Sequence, residues 1–578
     1  MKVKTVADLV VDTLQRVGVE RVYGLPGDSL NGLTNVLRTS PGVEWVHVRH
    51  EEAAAFAAAA EAHMTGRLAV CAGSCGPGNT HLINGLFDAH RSRVPVLAIA
   101  AQVPSAEIGT SYFQETHPER LFQECSHYCE LVSSPSQLPR TLEIAIRAAV
   151  GQRGVAVVVI PGDLLLRAAE NLEVMAPAAA LLPPPPVVRP ADAELDALAR
   201  LLDGSGKVTL LCGRGCTHAH PQLMRLAEAL KSPIVHALGG KEGVEWDNPY
   251  DVGMTGLIGF SSGYQAMMDC DALLMLGTDF PYRQFYPTGA RVAQVDLRPE
   301  NLGRRTRIEL GLVGDVGPTI EALLPRLAAR TERGHLDACL AQYKVARAGL
   351  DELAAGEPGR KPIHPQHLTR TVDEAAADDA VFTADVGTPT IWAARYLTMN
   401  GRRRLVGSWT HGSMANALPH AIGIQASFPD RQVVALCGDG GLAMLMGEML
   451  SLVQLRLPIK LVVYNNSTLG FVQMEMQAAG QLDWGVDLQN PDFAAMARAS
   501  GLHGVRVEDP ADLGAAVREV LDHPGPALLD AVTATQELSM PPHLAAKEAA
   551  GFSLYTLRAL LDGRGTELMD LARTNLLR

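Results

Sequence analysis

The stretch Val433-Val434-Ala435-Leu436-Cys437-Gly438-Asp439-Gly440-Gly441 decides the fold, because an apolar run ends in a polar, glycine-rich turn. A second run, Leu461-Val462-Val463-Tyr464, ends in Asn465-Asn466. Short apolar runs that end in turn signals are typical of buried strands in a parallel sheet. Ligands bind outside the carboxyl ends of such strands. We therefore expect Asp439 and Asn466 to meet at one edge of a sheet.

A carboxylate and an amide oxygen at one sheet edge predict a Mg²⁺ site, since this ion prefers oxygen ligands and shares its shell with phosphates. The predicted metal ligands are Asp439, Asn466 and Thr468. Gly440 and Gly441 would let the backbone approach a diphosphate. The motif Gly-Asp-Gly alone would be an ordinary strand-end turn; the asparagine pair after a second strand favours the metal–diphosphate interpretation.

Composition bounds the class of protein. The chain has 578 residues, 47% of them hydrophobic and 20% charged, which predicts about three or four globular domains. Its net charge of −13 argues against a nucleic-acid partner. We find no run of apolar residues long enough for a membrane-spanning helix. The nine cysteines, three pairs of which lie four positions apart, are predicted to be reduced thiols and not metal or redox sites.

The sequence predicts two linkers, because two segments are rich in helix breakers. They are residues 176–190, which contain four consecutive prolines, and residues 356–362. They predict domains over residues 1–182, 183–335 and 336–536, followed by a tail over 537–578. Apolar strand runs alternate with helical patterns in each block. The predicted class is α/β, with three doubly wound parallel-sheet domains and a C-terminal amphipathic helical tail. Further strands are predicted at residues 22–25, 70–72, 94–101, 155–161, 208–212, 273–277, 292–296 and 381–384.

Several longer strings resemble one enzyme family. They are His50-Glu51-Glu52 before an alanine-rich segment, Cys71 to Asn79, Tyr112 to Pro118, Asp251 to Gly259, and Asp385-Val386-Gly387-Thr388-Pro389. Together with the metal motif they resemble the thiamine diphosphate-dependent pyruvate oxidase and acetolactate synthase superfamily, and within it the quinone-dependent pyruvate oxidases. The resemblance covers essentially the whole chain. It implies domains that bind, in order, the pyrimidine of the cofactor, FAD, and the diphosphate with Mg²⁺.

The resemblance assigns Glu51 as the catalytic carboxylate that activates the aminopyrimidine of thiamine diphosphate. We predict a strand over residues 43–48 that ends just before it; if the strand continued, Glu52 would face the other way. An acidic pair at a helix N-terminus is the structural alternative. Phe113 and Gln114 resemble substrate-pocket residues, and Phe471 resembles an aromatic residue that assists electron transfer.

The implied thiamine contacts fall in three stretches. In the first, Met414 would wedge under the cofactor, although a plain core role is the alternative. The implied contacts are Gly412, Ser413, Met414, Asp439, Gly440, Gly441, Asn466, Ser467, Thr468, Leu469, Gly470, Phe471 and Val472.

FAD is implied for the second domain. Gly213-Arg214-Gly215 lacks the third glycine of a dinucleotide fingerprint, so it is a weak signal by itself. Asp296 ends a predicted strand and could bind a ribose hydroxyl, whereas Asp315 is equally well a loop cap. The implied contacts are Thr255, Gly256, Leu257, Ile258, Thr278, Asp279, Phe280, Pro281, Tyr282, Asp296 and Asp315.

The resemblance implies that pyruvate is oxidised to acetate and CO₂, with electrons passing through FAD to ubiquinone. The assembly would be a homotetramer, with a dimer as the minimum because Glu51 of one chain would serve Asp439 of another. The expected location is the cytoplasm, peripheral on the inner face of the cell membrane.

The apolar faces of the C-terminal tail predict that it binds lipid. Phe552, Tyr555 and Ala559 share one helical face and Leu554, Leu557 and Leu561 an adjacent one. Membrane affinity would come mainly from buried apolar area. A helix docked on its own domain is the alternative, and the two could alternate if the tail covers the resting site and is released on reduction.

Three other functions stay open. An acetolactate synthase would use FAD without redox chemistry, although Gly470-Phe471-Val472-Gln473-Met474 departs from the stretch usual in those enzymes. An oxygen- and phosphate-dependent oxidase would make acetyl phosphate and would need no lipid-responsive tail. A catalytically inactive membrane scaffold is the third, and the presence of Glu51, Asp439 and Asn466 together weighs against it.

Overall fold

A computed structural model of the chain describes residues 4–169, 172–174, 176–356, 361–535, 537, 546–562, 564, 567–569, 571 and 575. It contains three six-stranded sheets in which every pairing between neighbouring strands is parallel. Helices connect the strands, so the predicted α/β class with three doubly wound domains is confirmed.

The strands of the first sheet are β1 Arg21–Gly24, β2 Glu44–His47, β3 Ala69–Gly73, β4 Val96–Gln102, β5 Tyr128–Leu131 and β6 Val155–Pro161. Those of the second are β7 Val208–Cys212, β8 Ile234–His236, β9 Asp251–Met254, β10 Ala272–Leu276, β11 Arg291–Asp296 and β12 Leu310–Val313. Those of the third are β13 Val381–Ala384, β14 Arg404–Gly407, β15 Val433–Gly438, β16 Lys460–Asn465, β17 His503–Val507 and β18 Ala527–Val532. All the strands predicted from apolar runs are present, and no end is shifted by more than two residues.

The helices of the first domain are α1 Val6–Arg16, α2 Asn31–Leu37, α3 Glu51–Thr65, α4 Pro77–Arg91, α5 Pro118–Leu121, α6 Leu138–Gln152, α7 Gly162–Leu165 and α8 Ala178–Leu181. Next come α9 Asp192–Asp203, α10 His220–Leu230, α11 Lys241–Val244, α12 Ser261–Met268, α13 Val316–Leu323 and α14 Gly334–Ala354. The third domain has α15 Pro365–Ala375, α16 Thr388–Tyr396, α17 Ala417–Ser427, α18 Asp439–Leu445, α19 Met449–Leu455, α20 Gly470–Ala478, α21 Phe493–Ala499 and α22 Pro510–Asp522, and the tail has α23 Ala546–Leu561. No helix in the described part of the chain is both long and apolar enough to span a membrane.

The order of strands locates the binding crevices. The first and third sheets run β2-β1-β3-β4-β6-β5 and β14-β13-β15-β16-β18-β17, whereas the second runs β12-β11-β10-β7-β8-β9. In doubly wound sheets the ligand crevice lies where the strand order reverses. This point falls between β13 and β15 in the third domain and between β7 and β10 in the second. The second order is that of dinucleotide-binding folds.

The first and third domains share one hydrophobic core, in which α3 packs against α17. Alanines fill most of α3, and small side chains allow the two helix backbones to approach closely. The approach is tightest at Gly423, where a Cβ atom would lie 2.0 Å from the carbonyl oxygen of Ala57. This packing fixes the Glu51 end of α3 relative to the third domain.

Two details of the linkers differ from expectation. Residues 176–190 were expected to contain no regular helix, but α8 forms one turn before the prolines begin. The linker then returns to the second domain, because the amide of Val188 donates to Oδ2 of Asp315 at 2.7 Å. Near the second predicted boundary, α14 contributes Cys339 to the second-domain core and Ala354 to the third-domain core. Of the second linker, residues 357–360 lie outside the described part.

Candidate active site

The proposed metal ligands lie where β15 and β16 end side by side. Gly438 pairs with Tyr464, so Asp439 and Asn466 follow at the same edge of the sheet. Asp439, Asn466 and Thr468 are all buried, with 3%, 8% and 3% of their surfaces exposed. The structure therefore brings together the three residues that the sequence assigns to the metal.

The carboxylate of Asp439 is held by neutral donors. Its Oδ1 accepts the backbone amide of Gly440 at 2.8 Å, and its Oδ2 accepts the amide of Ser467 at 2.7 Å and Nδ2 of Asn490 at 2.7 Å. Burial raises the pKa of Asp439, and these donors oppose the rise. Because a buried carboxylate is costly without a positive charge, this environment favours a bound cation.

The surroundings of Asp439 fit Mg²⁺ bound together with a diphosphate. A Cβ atom at Gly440 would lie 3.0 Å from the side chain of Leu469 and 3.1 Å from that of Leu488, so a larger residue would press on both leucines. In the described residues, no group of three His, Cys, Asp or Glu side chains could hold a metal. An ion here would draw on Asp439, on Asn466 and Thr468, and on phosphate oxygens, which is how Mg²⁺ is usually bound.

The loop after Asn466 is braced by a segment that sequence analysis did not single out. The amide of Leu469 donates to the carbonyl of Val486 at 2.9 Å, and that of Leu488 donates to the carbonyl of Ser467 at 2.9 Å. The same segment ends in Asn490, which reaches Asp439. Residues 480–490 have neither strand nor helix periodicity, so no local signal indicates that they contact the metal loop.

A second missed residue, Asp385, lies at the point where the strand order reverses. It follows β13 and is 2% exposed. Its Oδ1 accepts the amide of Ala417 at 2.9 Å and its Oδ2 the amide of Gly438 at 3.1 Å. A Cβ atom at Gly441 would lie 2.3 Å from that Oδ2. Asp385 thus ties the glycine-rich turn to the segment that precedes α17, and burial raises its pKa to about 7.

Glu51 is the first residue of α3, and its side chain is buried. Its Oε2 lies 2.9 Å from Nδ1 of His81, whose ring stacks on that of His50 at 4.2 Å. The strand β2 ends at His47, so the continued strand considered for Glu52 is wrong; both glutamates belong to a helical first turn. The two glutamates therefore do lie at a helix N-terminus, as the structural alternative predicted. This position is compatible with a catalytic role for the buried Glu51.

Glu448 fixes the segment that precedes Glu51. Its Oε1 accepts the amides of Arg49 and His50, each at 2.9 Å, and its Oε2 accepts the hydroxyl of Ser451 at 2.6 Å. Glu448 is fully buried, and burial raises its pKa to about 7. A residue of the third domain thus sets the start of α3 in the first. Sequence analysis missed it because no motif surrounds it.

The segment with Gly412, Ser413 and Met414 lies against the first domain. Nδ2 of Asn84 donates to Oγ of Ser413 at 2.9 Å and to Oε1 of Glu52 at 2.7 Å. Gly412 has φ +83°, which favours glycine. The methyl group of Met414 would lie 3.5 Å from a Cβ atom placed at Gly440, so Met414 borders the glycine-rich turn. That Glu51 serves Asp439 of a second chain stays a prediction.

Phe113 and Gln114 lie on a loop next to α4. Phe113 is 78% exposed. Gln114 has φ +63°, and a Cβ atom at Gly76 would lie 2.7 Å from its carbonyl oxygen. The loop thus packs on the turn that leads into α4, which carries His81. The placement is that of a pocket rim, and the substrate role stays a prediction.

Phe471 and Val472 lie in the first turn of α20, directly after the metal loop. Phe471 and Ile258 of the predicted FAD stretch pack against the same third-domain core. Glu475 lies further along α20. Burial raises the pKa of Tyr282, another predicted FAD contact, and the nearby negative charge of Glu475 raises it further. The start of α20 therefore lies between the metal loop and the predicted flavin site.

The second domain offers a crevice suited to a dinucleotide. The loops after β7 and β10 touch, since the amide of Gly215 donates to the carbonyl of Gly277 at 3.0 Å and a Cβ atom at Gly213 would lie 2.5 Å from that carbonyl. Nearby, the buried Oγ1 of Thr255 has no hydrogen-bond partner among the described residues. A buried polar atom of this kind suits a ligand, so the site fits FAD.

The other predicted FAD residues divide into two groups. Gly256, Leu257, Ile258, Thr278, Phe280, Pro281 and Tyr282 line the region of the loops after β9 and β10. Asp296 at the end of β11 accepts the amide of Arg298 at 2.9 Å, and burial raises its pKa. Asp279 pairs with Arg304 and Arg305, and Asp315 holds the linker. All three carboxylates already have protein partners, and the FAD role of every predicted contact residue stays a prediction.

The tail helix α23 docks on α20. Tyr555 and Ala559 are buried, whereas Leu554, Leu557 and Leu561 are exposed. The hydroxyl of Tyr555 accepts Nε2 of Gln477 at 3.3 Å. Nη1 of Arg564 lies 2.9 Å from Oδ1 of Asp483. The sequence also predicts a second apolar stripe, formed by Leu568, Leu571, Ala572 and Leu576, of which Ala572 and Leu576 lie outside the described residues. All nine cysteines are free, and eight of them are buried.

Comparison with known proteins agrees with this geometry. The N-terminal thiamine pyrophosphate-binding domain of thiamine pyrophosphate enzymes matches residues 4–121, the central domain matches 195–323, and the C-terminal thiamine pyrophosphate-binding domain matches 385–531. Each match lies within one of the three domains predicted from sequence.

Among individual proteins, a putative thiamine pyrophosphate-containing protein YdaP of Bacillus subtilis is 36% identical over 99% of both chains. The pyruvate oxidase of Lactiplantibacillus plantarum is 31% identical over 90% of this chain and 87% of its own. The acetolactate synthase large subunit of Parasynechococcus marenigrum is 30% identical over 91% of this chain and 86% of its own. The chain therefore belongs to the thiamine pyrophosphate-dependent enzyme family that includes pyruvate oxidase and acetolactate synthase.

Proposed function

We propose that the protein oxidatively decarboxylates pyruvate to acetate and CO₂ and passes the electrons through FAD to ubiquinone at a membrane. Pyruvate and water give acetate, CO₂, two protons and two electrons, and the quinone takes up the two electrons with two protons. The observation that carries the choice of a membrane acceptor is the tail helix. It docks on α20 next to the metal loop while its outer face carries exposed leucines.

Thiamine diphosphate, when bound, supplies the nucleophilic carbon that lets a 2-oxo acid lose CO₂. Asp439, Asn466 and Thr468 would hold its diphosphate through Mg²⁺. Glu51 would hydrogen-bond a ring nitrogen of the aminopyrimidine and stabilise its imino form, with His81 fixing the carboxylate at 2.9 Å. FAD, when bound in the second-domain crevice, would accept electrons, and Phe471, in the first turn of α20 after the metal loop, would lie on their path.

The tail supplies the regulatory half of the proposal. In the docked state Tyr555 is buried against Gln477 of α20, so the tail covers the helix that begins at Gly470. Leu554, Leu557 and Leu561 could enter a lipid surface once the helix is released. Binding to lipid would then shift the protein toward a state with an open active site. A homotetramer in the cytoplasm, recruited to the inner face of the membrane, is part of the same proposal.

The test compares ubiquinone reduction by the flavin-loaded protein with and without phospholipid vesicles. We expect pyruvate to yield acetate, and vesicles to accelerate ubiquinone reduction. Replacing Leu554, Leu557 and Leu561 by serine should abolish the acceleration but leave ferricyanide reduction without lipid unchanged. A matched control replaces the exposed Val345 and Leu353 of α14 by serine.

Each outcome has a separate meaning. Acetolactate as the product would assign the protein to carboligation, with FAD as a structural cofactor. Acetyl phosphate and peroxide formed from oxygen and phosphate would make it an oxidase without a quinone. Acetate formation that lipid does not change, or that the serine variant leaves equally lipid-sensitive, would remove the role of the tail. Protein that binds no flavin and releases no CO₂ would be a scaffold.

A further inference from the structure

The helix α16 connects the predicted thiamine site to the predicted flavin stretch. It begins at Thr388, and a Cβ atom at Gly470, where the metal loop ends, would lie 3.1 Å from the methyl carbon of Thr388. Near its other end, Nε of Arg395 donates to the carbonyl of Ile258 at 3.0 Å, and Nη2 donates to that of Gly259 at 3.2 Å. At 1.5 Å per residue, about 10 Å of helix therefore separates the two regions.

Arg395 holds the loop after β9 by its backbone. Within this loop the amide of Gly259 donates to the carbonyl of Gly256 at 2.9 Å. A Cβ atom at Gly259 would lie 2.4 Å from the carbonyl oxygen of Met254, so a larger residue would not fit unless the backbone moved. Because the guanidinium is planar and presents its N–H groups in a rigid fork, its bonds to two successive carbonyls fix the direction of both peptide groups.

Arg395 also brings a positive charge to a buried place. The residue is 7% exposed. Burial lowers its pKa to about 10, with a smaller contribution from the nearby charge of Arg347, so the guanidinium stays protonated at neutral pH. Taking a charge out of water is costly, and bonds to neutral carbonyl oxygens do not cancel the charge. A buried cation that borders a predicted cofactor loop therefore suits a ligand that becomes more negative.

A second arginine, Arg347 of α14, braces the end of α16. Its Nη1 donates to the carbonyl of Arg395 at 2.7 Å. Its guanidinium carbon lies 5.6 Å from the ring centroid of Tyr396 and 5.9 Å from that of Phe260, the residue that follows the flavin loop. Its Nε donates to Oδ1 of Asp351 at 3.0 Å, so this arginine has a carboxylate partner. The second domain, α14 and α16 thus hold Arg395 in one place.

We propose that Arg395 is a positioning residue for the flavin, which fixes the loop at Ile258 and Gly259 and places beside it a positive charge that favours the reduced flavin. The inference rests on the proposed function, because it assumes that FAD bound at this loop accepts the electrons. A flavin that takes up two electrons and one proton gains one negative charge, and a fixed cation nearby stabilises that state. The charge and the fork geometry are separate properties of Arg395, so different substitutions can separate them.

The experiment measures the midpoint potential of bound flavin against a reference dye, and the flavin affinity, on full-length flavin-loaded protein without pyruvate. Arg395→Gln keeps a donor for the loop but removes the charge. We expect the equilibrium constant for flavin reduction to fall about tenfold, the scale of one screened charge interaction in a protein, which lowers a two-electron potential by about 30 mV. Arg395→Lys keeps the charge but loses the fork, so its potential should stay close to that of wild type while flavin binds more weakly.

Arg403→Gln is the matched control. Arg403 is 8% exposed, and its Nη2 donates to the carbonyls of Asp373 and Ala376 at 3.0 and 2.9 Å. Because these acceptors belong to the third domain, loss of this buried charge should lower the melting temperature without shifting the potential. If Arg395→Gln does not fold, Arg395→Met removes the same charge with an unbranched apolar side chain, and the same tenfold fall is expected.

The two proposals fail in different ways. Wild-type flavin that pyruvate does not reduce would overturn the proposed function, whereas the dye-measured potentials would still decide the role of Arg395; a protein that binds no flavin would overturn both. A potential that Arg395→Gln leaves unchanged, or that Arg395→Lys or Arg403→Gln lowers equally, would contradict the role of the charge. Flavin affinity that Arg395→Lys leaves unchanged would contradict the fixing of the loop.

Discussion

The sheets of the first and third domains have the same strand order, and the helices α3 and α17, which follow the second strand of each, pack against one another. The residues at the strand ends differ. In the first domain β3 leads into Ser74-Cys75-Gly76 and α3 begins with Glu51, whereas in the third β15 leads into Asp439-Gly440-Gly441. The same sheet order thus supports a carboxylate suited to proton chemistry in the first domain and a metal site in the third. The comparison teaches that strand-end residues, not the sheet, decide the chemistry.

The largest expected effect comes from removing the metal carboxylate. Asp439→Ala should abolish measurable binding of thiamine diphosphate with Mg²⁺, because the ion loses its one carboxylate ligand from the protein. The loss should exceed the roughly 10–100-fold that removal of a supporting residue causes. Calorimetric titration of cofactor and Mg²⁺ measures it, with the exposed Asp378→Ala as the control. Retained binding would place the metal elsewhere.

Glu51→Gln should impair the proton chemistry of the first domain and leave cofactor binding by the third domain intact. We expect turnover of pyruvate to fall by roughly 10²–10⁴-fold, the contribution typical of a positioned acid–base group. Affinity for the cofactor should change only slightly, since the amide keeps the size of the side chain. Exchange of the thiazolium C2 proton, followed by NMR, measures the step directly. Glu52→Gln is the control, and equal slowing by both variants would argue against Glu51 as the reacting carboxylate.

Gly423→Ala tests the packing that joins the two domains. The added Cβ atom would lie 2.0 Å from the carbonyl of Ala57, which is backbone and cannot turn aside. We expect the free energy of unfolding to fall by about 1–3 kcal/mol, the usual cost of overpacking. Urea denaturation measures it. Gly349→Ala in α14 has open space around the new atom and should be neutral or slightly stabilising; similar destabilisation by both variants would mean that the contact is unimportant.

The last effect is a pH dependence at Glu448, which appears only as the pH rises. Burial raises its pKa to about 7 from the ordinary value of 4.5, so protonated Glu448 favours the folded state. Its contribution is fully present below pH 4.5 and is lost as the pH rises to about 7, by at most about 1.4 kcal/mol per pH unit. Glu448→Gln keeps the acceptor for Arg49 and His50 without this loss. Thermal melts should show wild type and variant equal near pH 4.5 and the variant more stable at pH 8. The opposite order at pH 8 would contradict the burial argument.

Much of this arrangement could be predicted from sequence, because strands and motifs are local signals. The apolar runs located the strands, and the glycine-rich turn and the asparagine pair located the metal ligands at one sheet edge. The string that begins at Asp385 was recognised in the sequence, but the contacts of Asp385, Glu448 and Asn490 could not be predicted. Each acts by hydrogen-bonding to backbone or side chains distant in the sequence, and no spacing or composition marks such contacts.

The sequence also did not reveal that the first and third sheets have the same strand order, because packing preserves topology without a repeated residue pattern. The strand order of the second sheet could not be predicted either. Its Gly213-Arg214-Gly215 is a poor fingerprint, yet its strand order and the touching loops after β7 and β10 define the crevice. For Glu51 the sequence left a strand and a helix open, and the capping position of His50 decides for the helix.

The central claim is that pyruvate is cleaved at a site built by the first and third domains, and that the electrons released reduce a flavin bound to the second domain. The most direct measurement is the absorbance of bound flavin after anaerobic mixing with pyruvate, with CO₂ release followed in parallel. We predict bleaching of one flavin per active site at the rate of CO₂ release, and recovery of the yellow colour on addition of ubiquinone with phospholipid vesicles. Flavin that stays oxidised while CO₂ is released would contradict the account and assign the protein to non-oxidative thiamine chemistry.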